Sequence, residues 1–102
     1  MLDFPPVSHM AIVHFRSTDE EQARLCAEGF AEEIKPLLDA DVKVIGPMPS
    51  PIARVKTYYR WQFLLRGGSI RKLTRLLRQH IVGVQLSKNV EVYADIDPRN
   101  LQ

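Results

Sequence analysis

Cysteine is nearly missing from this chain: Cys26 stands alone among 102 residues, which excludes an internal disulfide. It lies among apolar residues at helical spacing and is expected to pack as a small buried hydrophobe. Long apolar runs are also missing. None approaches the roughly 20 residues that span a bilayer as a helix, and no basic stretch followed by an apolar one opens the chain as a secretory signal would. The expected location is the cytoplasm, with no membrane partner. The phosphate-cradling pattern GxxxxGK[ST] is absent, so Gly67-Gly68-Ser69 is not a nucleotide loop. His9, His14 and His80 lack metal-ligand spacing with each other or with Cys26, and His9 and His14 fall at opposite parity on one strand. Carboxylates show no buried pairing; Asp95 and Asp97 share parity at a strand end, where capping or salt bridging is expected. The chain is therefore expected to carry no catalytic residue, no metal and no cofactor of its own.

Acidic residues are missing from one long window. The net charge of +2 conceals a division: residues 1–51 carry four Lys/Arg against nine Asp/Glu, and residues 52–102 carry ten against three. From Arg54 to Arg78 there are eight cations (Arg54, Lys56, Arg60, Arg66, Arg71, Lys72, Arg75, Arg78) and no anion. A field of one sign favours polyanions or acidic peptides and says nothing about fold.

A length of 102 residues with 45% hydrophobic content fits one domain, 1–102, with one modest core. Ser8 to Phe15 predicts a first strand. Thr18-x-x-Glu21 has the form of a capping box, with Asp19 and Glu20 suited to the positive end of a helix dipole. Ala23, Cys26, Ala27, Phe30, Ile34 and Leu37 recur at helical spacing, and Pro36 should end that helix near Lys35. Val42 to Ile45 predicts a short second strand. Pro47, Pro49 and Pro51 then predict an extended, largely unpaired connector. Thr57 to Arg66 is the third and longest strand. Its alternation sets Tyr59, Trp61, Phe63 and Leu65 on the helix-packed face and Tyr58, Arg60, Gln62 and Leu64 on the open one. Ser69 is a candidate N-cap for a second helix whose apolar stripe is Ile70, Leu73, Leu76, Leu77 and Ile81. Val90 to Ile96 alternates as a final strand with Val90, Val92, Ala94 and Ile96 inward.

The expected fold is α+β: a β-α-β-β-α-β split sandwich, ferredoxin-like or ribosomal-protein-like, with an antiparallel sheet and two helices on one face.

The candidate binding residues come from charge and position. With Ser69 as N-cap, Arg71 and Lys72 occupy the first turn of the second helix, where cations are disfavoured by about 0.3–1 kcal/mol each. The first helix places acids there instead. Free N–H groups, a dipole end and side-chain charge together suit an anion. Arg71, Arg75 and Arg78 continue along one face. A second patch, Tyr58, Arg60 and Gln62 on the open sheet face, combines stacking, charge and amide hydrogen bonding, a mixture suited to single-stranded nucleic acid. Arg60 and Gln62 would equally serve to dock the domain onto a larger protein. Arg54 and Lys56 flank the proline connector and complete the candidate set, for phosphate contact or solvation. On these residues an RNA-binding ribosomal-type module, a small-molecule regulatory domain of ferredoxin-like form and a purely structural docking domain all remain open.

The stretch Gly46-Pro47-x-Pro49-x-Pro51-Ile52-x-Arg54, followed by Tyr59-Arg60-Trp61-x-x-Leu64-Leu65, resembles the C-terminal domain of the replication-restart helicase family of PriA (primosomal protein N′). Phe4-Pro5-Pro6 near the start and Asp95-Ile96-Asp97-Pro98 near the end are similar to that family's flanking elements, in the same order. The resemblance implies an excised domain of a larger ATP-dependent 3′–5′ DNA helicase, whose ATP, magnesium and zinc sites would lie outside this chain. It further implies nucleoid association, binding of forked or single-stranded DNA, and docking on the helicase core. It also implies a share in a pocket for the acidic C-terminal tail of single-stranded-DNA-binding protein, near Arg71, Lys72 and Arg75. Many relatives have a Pro-Ser-Arg element there, whereas this chain has Gly68-Ser69-Ile70 with the first cation one position later.

Overall fold

The computed structural model describes residues 9–38, 40–85 and 89–96. Along the chain these form β1 (His9–Ser17), α1 (Glu20–Ile34), a 3-10 turn (Lys35–Leu37), β2 (Lys43–Val55), β3 (Tyr58–Gly67), α2 (Ile70–Gln85) and β4 (Glu91–Ile96). The four strands make one sheet in the order β2-β3-β1-β4, with every neighbouring pair antiparallel. The two β-α-β halves interleave, so β1 and β3 take the centre. The expected split ferredoxin-like arrangement is observed. The flanking Phe4-Pro5-Pro6 and Asp97-Pro98 lie outside the described residues.

Parity builds the core. Ala11, Val13 and Phe15 of β1 face Leu65, Phe63 and Trp61 on β3, and Ile96, Ala94 and Val92 on β4. These side chains share one side of the sheet, because alternate residues of a strand point the same way. Both helices cover that side: α1 contributes Ala27, Phe30, Ala31 and Ile34, and α2 contributes Leu73 and Leu77. Phe30 is wedged edge-on between Phe15 and Phe63, with ring centroids 5.5 Å and 6.2 Å apart, the favoured geometry for aromatic pairs. Cys26 packs against this cluster half-buried, less enclosed than the composition suggested.

Two local expectations are corrected. The N-cap of α1 is Asp19, not Thr18: its Oδ1 accepts from the N–H of Glu21 at 3.0 Å and of Gln22 at 3.3 Å. The reason lies in β1, which runs to Ser17. The buried Ser17 hydroxyl donates to the Asn89 carbonyl at 3.0 Å and accepts from the Asp19 N–H at 3.1 Å. That ties the strand end to the loop before β4 and moves the helix start one residue onward. A carboxylate also complements the helix dipole better than a hydroxyl.

The proline segment is the second correction. It is not an unpaired connector, because β2 continues through it to Val55. Met48 pairs with Gln62, Pro49 with Trp61, Arg54 with Tyr59 and Val55 with Tyr58, with register shifts between Ile45 and Met48 and between Pro49 and Arg54. An edge strand tolerates this. Prolines at alternate positions put their missing donors on one side of the strand, and the outer side of an edge needs none. Gly46, at φ +100°, sits in the first register shift ahead of a cis Gly46–Pro47 bond. Lys56, at φ 58°, turns the chain back into β3.

Candidate functional site

The fold breaks the basic window into separate surfaces. Arg71, Lys72, Arg75 and Arg78 stay together, exposed along α2 on the helical side of the molecule. Ser69 caps that helix as expected: its hydroxyl accepts from the Lys72 N–H and its carbonyl from the Leu73 N–H, both at 3.2 Å. No acid enters the first turn. Leu73 and Leu77 anchor the opposite side of the helix in the core, which aims the cationic side outward. Arg60 and Gln62 lie on the far side of the sheet, and the Arg60 guanidinium donates to the Tyr93 hydroxyl at 3.2 Å. Lys56 sits in the β2–β3 turn. The backbone of Arg54 pairs opposite Tyr59, and its side chain lies outside the described residues.

Beside the cationic side of α2 is a cleft of about 280 Å³, lined by Leu37, Leu38, Val42, Lys72, Leu73, Arg75, Leu76 and Gln79. Its construction follows from Pro36. Proline ends α1 at Ile34 and forces a 3-10 turn, so Leu37 and Leu38 leave the helical stripe and form an apolar wall. Leu37 is left 55% exposed, unusual for a leucine beside the core. Leu73 and Leu76 supply the floor. Lys72, Arg75 and Gln79 rise on the rim from successive turns of α2. The cleft thus joins an apolar trough to two cations and a primary amide. It has the chemistry to hold a short peptide whose apolar side chains fill the trough and whose carboxylates meet the rim.

A second, more open hollow of about 530 Å³ lies beside it around the same turns of the helix, lined by Arg71, Thr74, Arg75, Arg78 and Gln79. Three guanidinium groups around one concavity suit phosphate oxygens. Arg75 and Gln79 border both hollows, so α2 presents a continuous anion-facing strip.

The charge pattern of the sequence identifies Arg71, Lys72, Arg75 and Arg78 but misses Gln79, Leu37, Leu38 and Val42. Gln79 follows Arg75 by one helical turn, so spacing could have marked it. The two leucines become a wall only when the helix breaks at Pro36 and α2 arrives beside them. Two of the histidines are held by hydrogen bonds: His80 Nδ1–H donates to the Leu76 carbonyl at 2.9 Å, and His14 Nε2 lies 3.1 Å from Asp95 Oδ2. Asp95 is thus paired with a side chain of the neighbouring strand, while Asp97 lies outside the described residues. No group of three His, Cys, Asp or Glu is placed to hold a metal among the described residues. No helix among them is long and apolar enough to cross a membrane.

Comparison with known proteins agrees with this architecture. The family model described as primosomal protein N C-terminal domain matches residues 1–99. The replication restart protein PriA of Bacillus subtilis is 32% identical over 98 residues, covering 93% of this chain and 12% of that protein. The same-named protein of Haemophilus influenzae is 28% identical, covering 98% of this chain and 14% of that protein. This chain therefore spans only a small part of the relatives it matches. A solved structure, the de novo designed protein Foldit4, superposes with a TM-score of 0.63 at 19% identity, covering 87% of this chain and 94% of its own, and shares the fold alone.

Proposed function

The chain belongs to the primosomal protein N C-terminal domain family, and from that premise we propose that it is a binding domain of a replication-restart protein, with α2 as its working surface. The cleft beside α2 would receive the acidic C-terminal tail of single-stranded-DNA-binding protein. The observation that carries this reading is the pairing of an apolar trough with the cationic rim of Lys72 and Arg75. A peptide that carries both carboxylates and apolar side chains satisfies both halves of such a cleft, whereas a simple polyanion satisfies one.

The strip of Arg71, Arg75 and Arg78 would contribute to fork DNA. Its support is the second hollow, where these side chains converge. The domain then supplies binding and orientation rather than chemistry. ATP, magnesium and zinc act elsewhere in the parent helicase, against which the domain docks, in the cytoplasm at the nucleoid.

The test is a fluorescence-anisotropy titration of a tail peptide against the intact restart protein containing this domain. Arg75→Glu replaces an attraction of about 1 kcal/mol at 4 Å in water by a repulsion of similar size, so affinity should fall roughly thirtyfold. Affinity unchanged within twofold would refute the assignment. Forked DNA, duplex DNA and structured RNA are titrated across a salt series alongside. Three phosphate contacts on duplex give a slope of log K against log[salt] near −2.7, and the triple variant Arg71→Ala, Arg75→Ala, Arg78→Ala should flatten it. A preference for structured RNA over the fork would favour a ribosomal-type module instead.

A further inference from the structure

The open face of the sheet, opposite both helices, carries an arrangement that core packing does not require. On the two central strands the outward positions hold five planar polar side chains: His14 and Arg16 on β1, and Tyr58, Arg60 and Gln62 on β3. No described element covers this face, yet all five are half-buried. Four of them contact one another or β4 through their flat groups. The His14 ring stacks on Tyr93 with centroids 4.7 Å apart and 19° between planes. The Arg16 guanidinium lies 4.3 Å from the centre of the Tyr58 ring. Arg60 bonds the Tyr93 hydroxyl. Glu91 holds Arg16, and Asp95 holds His14, which fixes both planar groups in place.

Two features run against stability. Arg16 and Arg60 are register partners on adjacent strands, and like charges directly opposite one another are destabilising. The Nε atoms of both arginines and the Nδ1 of His14 are also buried with no hydrogen-bond partner. Buried polar atoms are normally satisfied, so three on one patch need a reason. An anion between the two guanidinium groups would relieve the like-charge contact, with flat groups laid against the neighbouring rings.

We propose that this face is a stacking platform for single-stranded DNA. Bases lie over the Tyr58–Arg16 pair and the His14–Tyr93 pair, and a phosphate sits at Arg60. The charge distribution gives the strand a side. Glu91 and Asp95 line the β4 side and repel phosphates. Lys43 and Arg66, exposed register partners at the β2–β3 side of the same face, attract them. Stacking on flat groups tolerates any base, which suits a protein that must act at sequences of every kind. The platform lies on the other side of the sheet from the α2 cleft. Its assignment to DNA rather than RNA rests on the replication-restart reading; its existence does not.

The test is an anisotropy titration of this 102-residue chain with fluorescein-labelled dT12, U12 and a 12-residue abasic DNA of equal charge. The platform predicts that dT12 binds at least fivefold tighter than the abasic strand. Tyr93→Ala and Tyr58→Ala should each remove at least fivefold of dT12 affinity, and Tyr58→Phe should retain it, because the ring does the stacking. Gln62→Glu keeps the shape of the side chain and gains cationic neighbours, so it should fold, yet weaken dT12 at least fivefold. Equal affinity for dT12 and the abasic strand, or unchanged dT12 affinity in folded Tyr93→Ala and Gln62→Glu, overturns the proposal. Preference for U12 overturns the choice of DNA. Tyr93→Ala, on the face of the sheet opposite α2, should leave tail-peptide affinity within twofold while weakening dT12, so failure of the α2 reading and failure of the platform are read separately.

Discussion

Two glycines give one substitution two opposite outcomes. Gly46 sits at φ +100°, and a Cβ built there would lie 3.1 Å from the Gln62 carbonyl oxygen and 3.2 Å from the Met48 nitrogen. Both are backbone atoms, so relief requires either moving β3 away from β2 or distorting β2 itself. Gly29 lies on the exposed side of α1, and its Cβ would meet nothing within 4 Å. Gly46→Ala therefore takes on backbone strain of about 1–3 kcal/mol together with the close contacts. The stiffer unfolded chain offsets about 0.4–1 kcal/mol of this. The net expectation is destabilisation by about 2 kcal/mol. Gly29→Ala gains about 0.5–1 kcal/mol from helix propensity with no opposing term. For a domain of this size 1 kcal/mol moves Tm by about 4–8 °C. Thermal unfolding followed by circular dichroism should show Gly46→Ala roughly 8–16 °C lower and Gly29→Ala a few degrees higher. Urea midpoints should agree, with the slope m unchanged. If Gly46→Ala unfolds at the wild-type temperature, β2 and β3 are not tightly apposed at Gly46. If both variants move the same way, so is the reasoning that separates them.

Asp19→Ala removes the acceptor for two helix N–H groups and should lower stability by about 1 kcal/mol, whereas Thr18→Val should change it by less than about 0.5 kcal/mol in chemical denaturation. A reversed order would restore Thr18 as the cap. Phe30→Ala empties the centre of the aromatic cluster and should lose about 3–5 kcal/mol, a large fraction of the stability of a domain this size. Lys56→Gly relieves a left-handed residue in the hairpin turn and should raise the urea midpoint by the equivalent of about 0.5–1 kcal/mol; a lower midpoint would mean the lysine's own contacts outweigh the strain.

Much of the fold was legible in short stretches because its causes are short-ranged. Alternation in 57–66 and 90–96 assigned inward and outward residues correctly, since parity on a strand is a local property. Helical spacing identified the buried side of both helices, and Pro36 marked the end of α1. The misses occurred where a distant partner decides. Asn89, 72 positions from Ser17, accepts the hydrogen bond that holds the end of β1, and no local pattern could show that the helix starts at Asp19. The proline segment looked unpairable because proline lacks a donor. Whether that matters depends on the strand being an edge, which is a property of the sheet order.

The site divides in the same way. Sequence determined that half of this chain would be strongly cationic, and that α2 would hold its cations on one side, because i, i+4 and i+7 share a helical face. Tertiary structure decided what those charges border. It put Leu37, Leu38 and Val42 beside Lys72 and Arg75 to make a cleft, and brought Arg16, 44 positions away, opposite Arg60. Charge and periodicity are written residue by residue along the chain. A concave surface, or two like charges held face to face, exists only once strands and helices distant in sequence have packed.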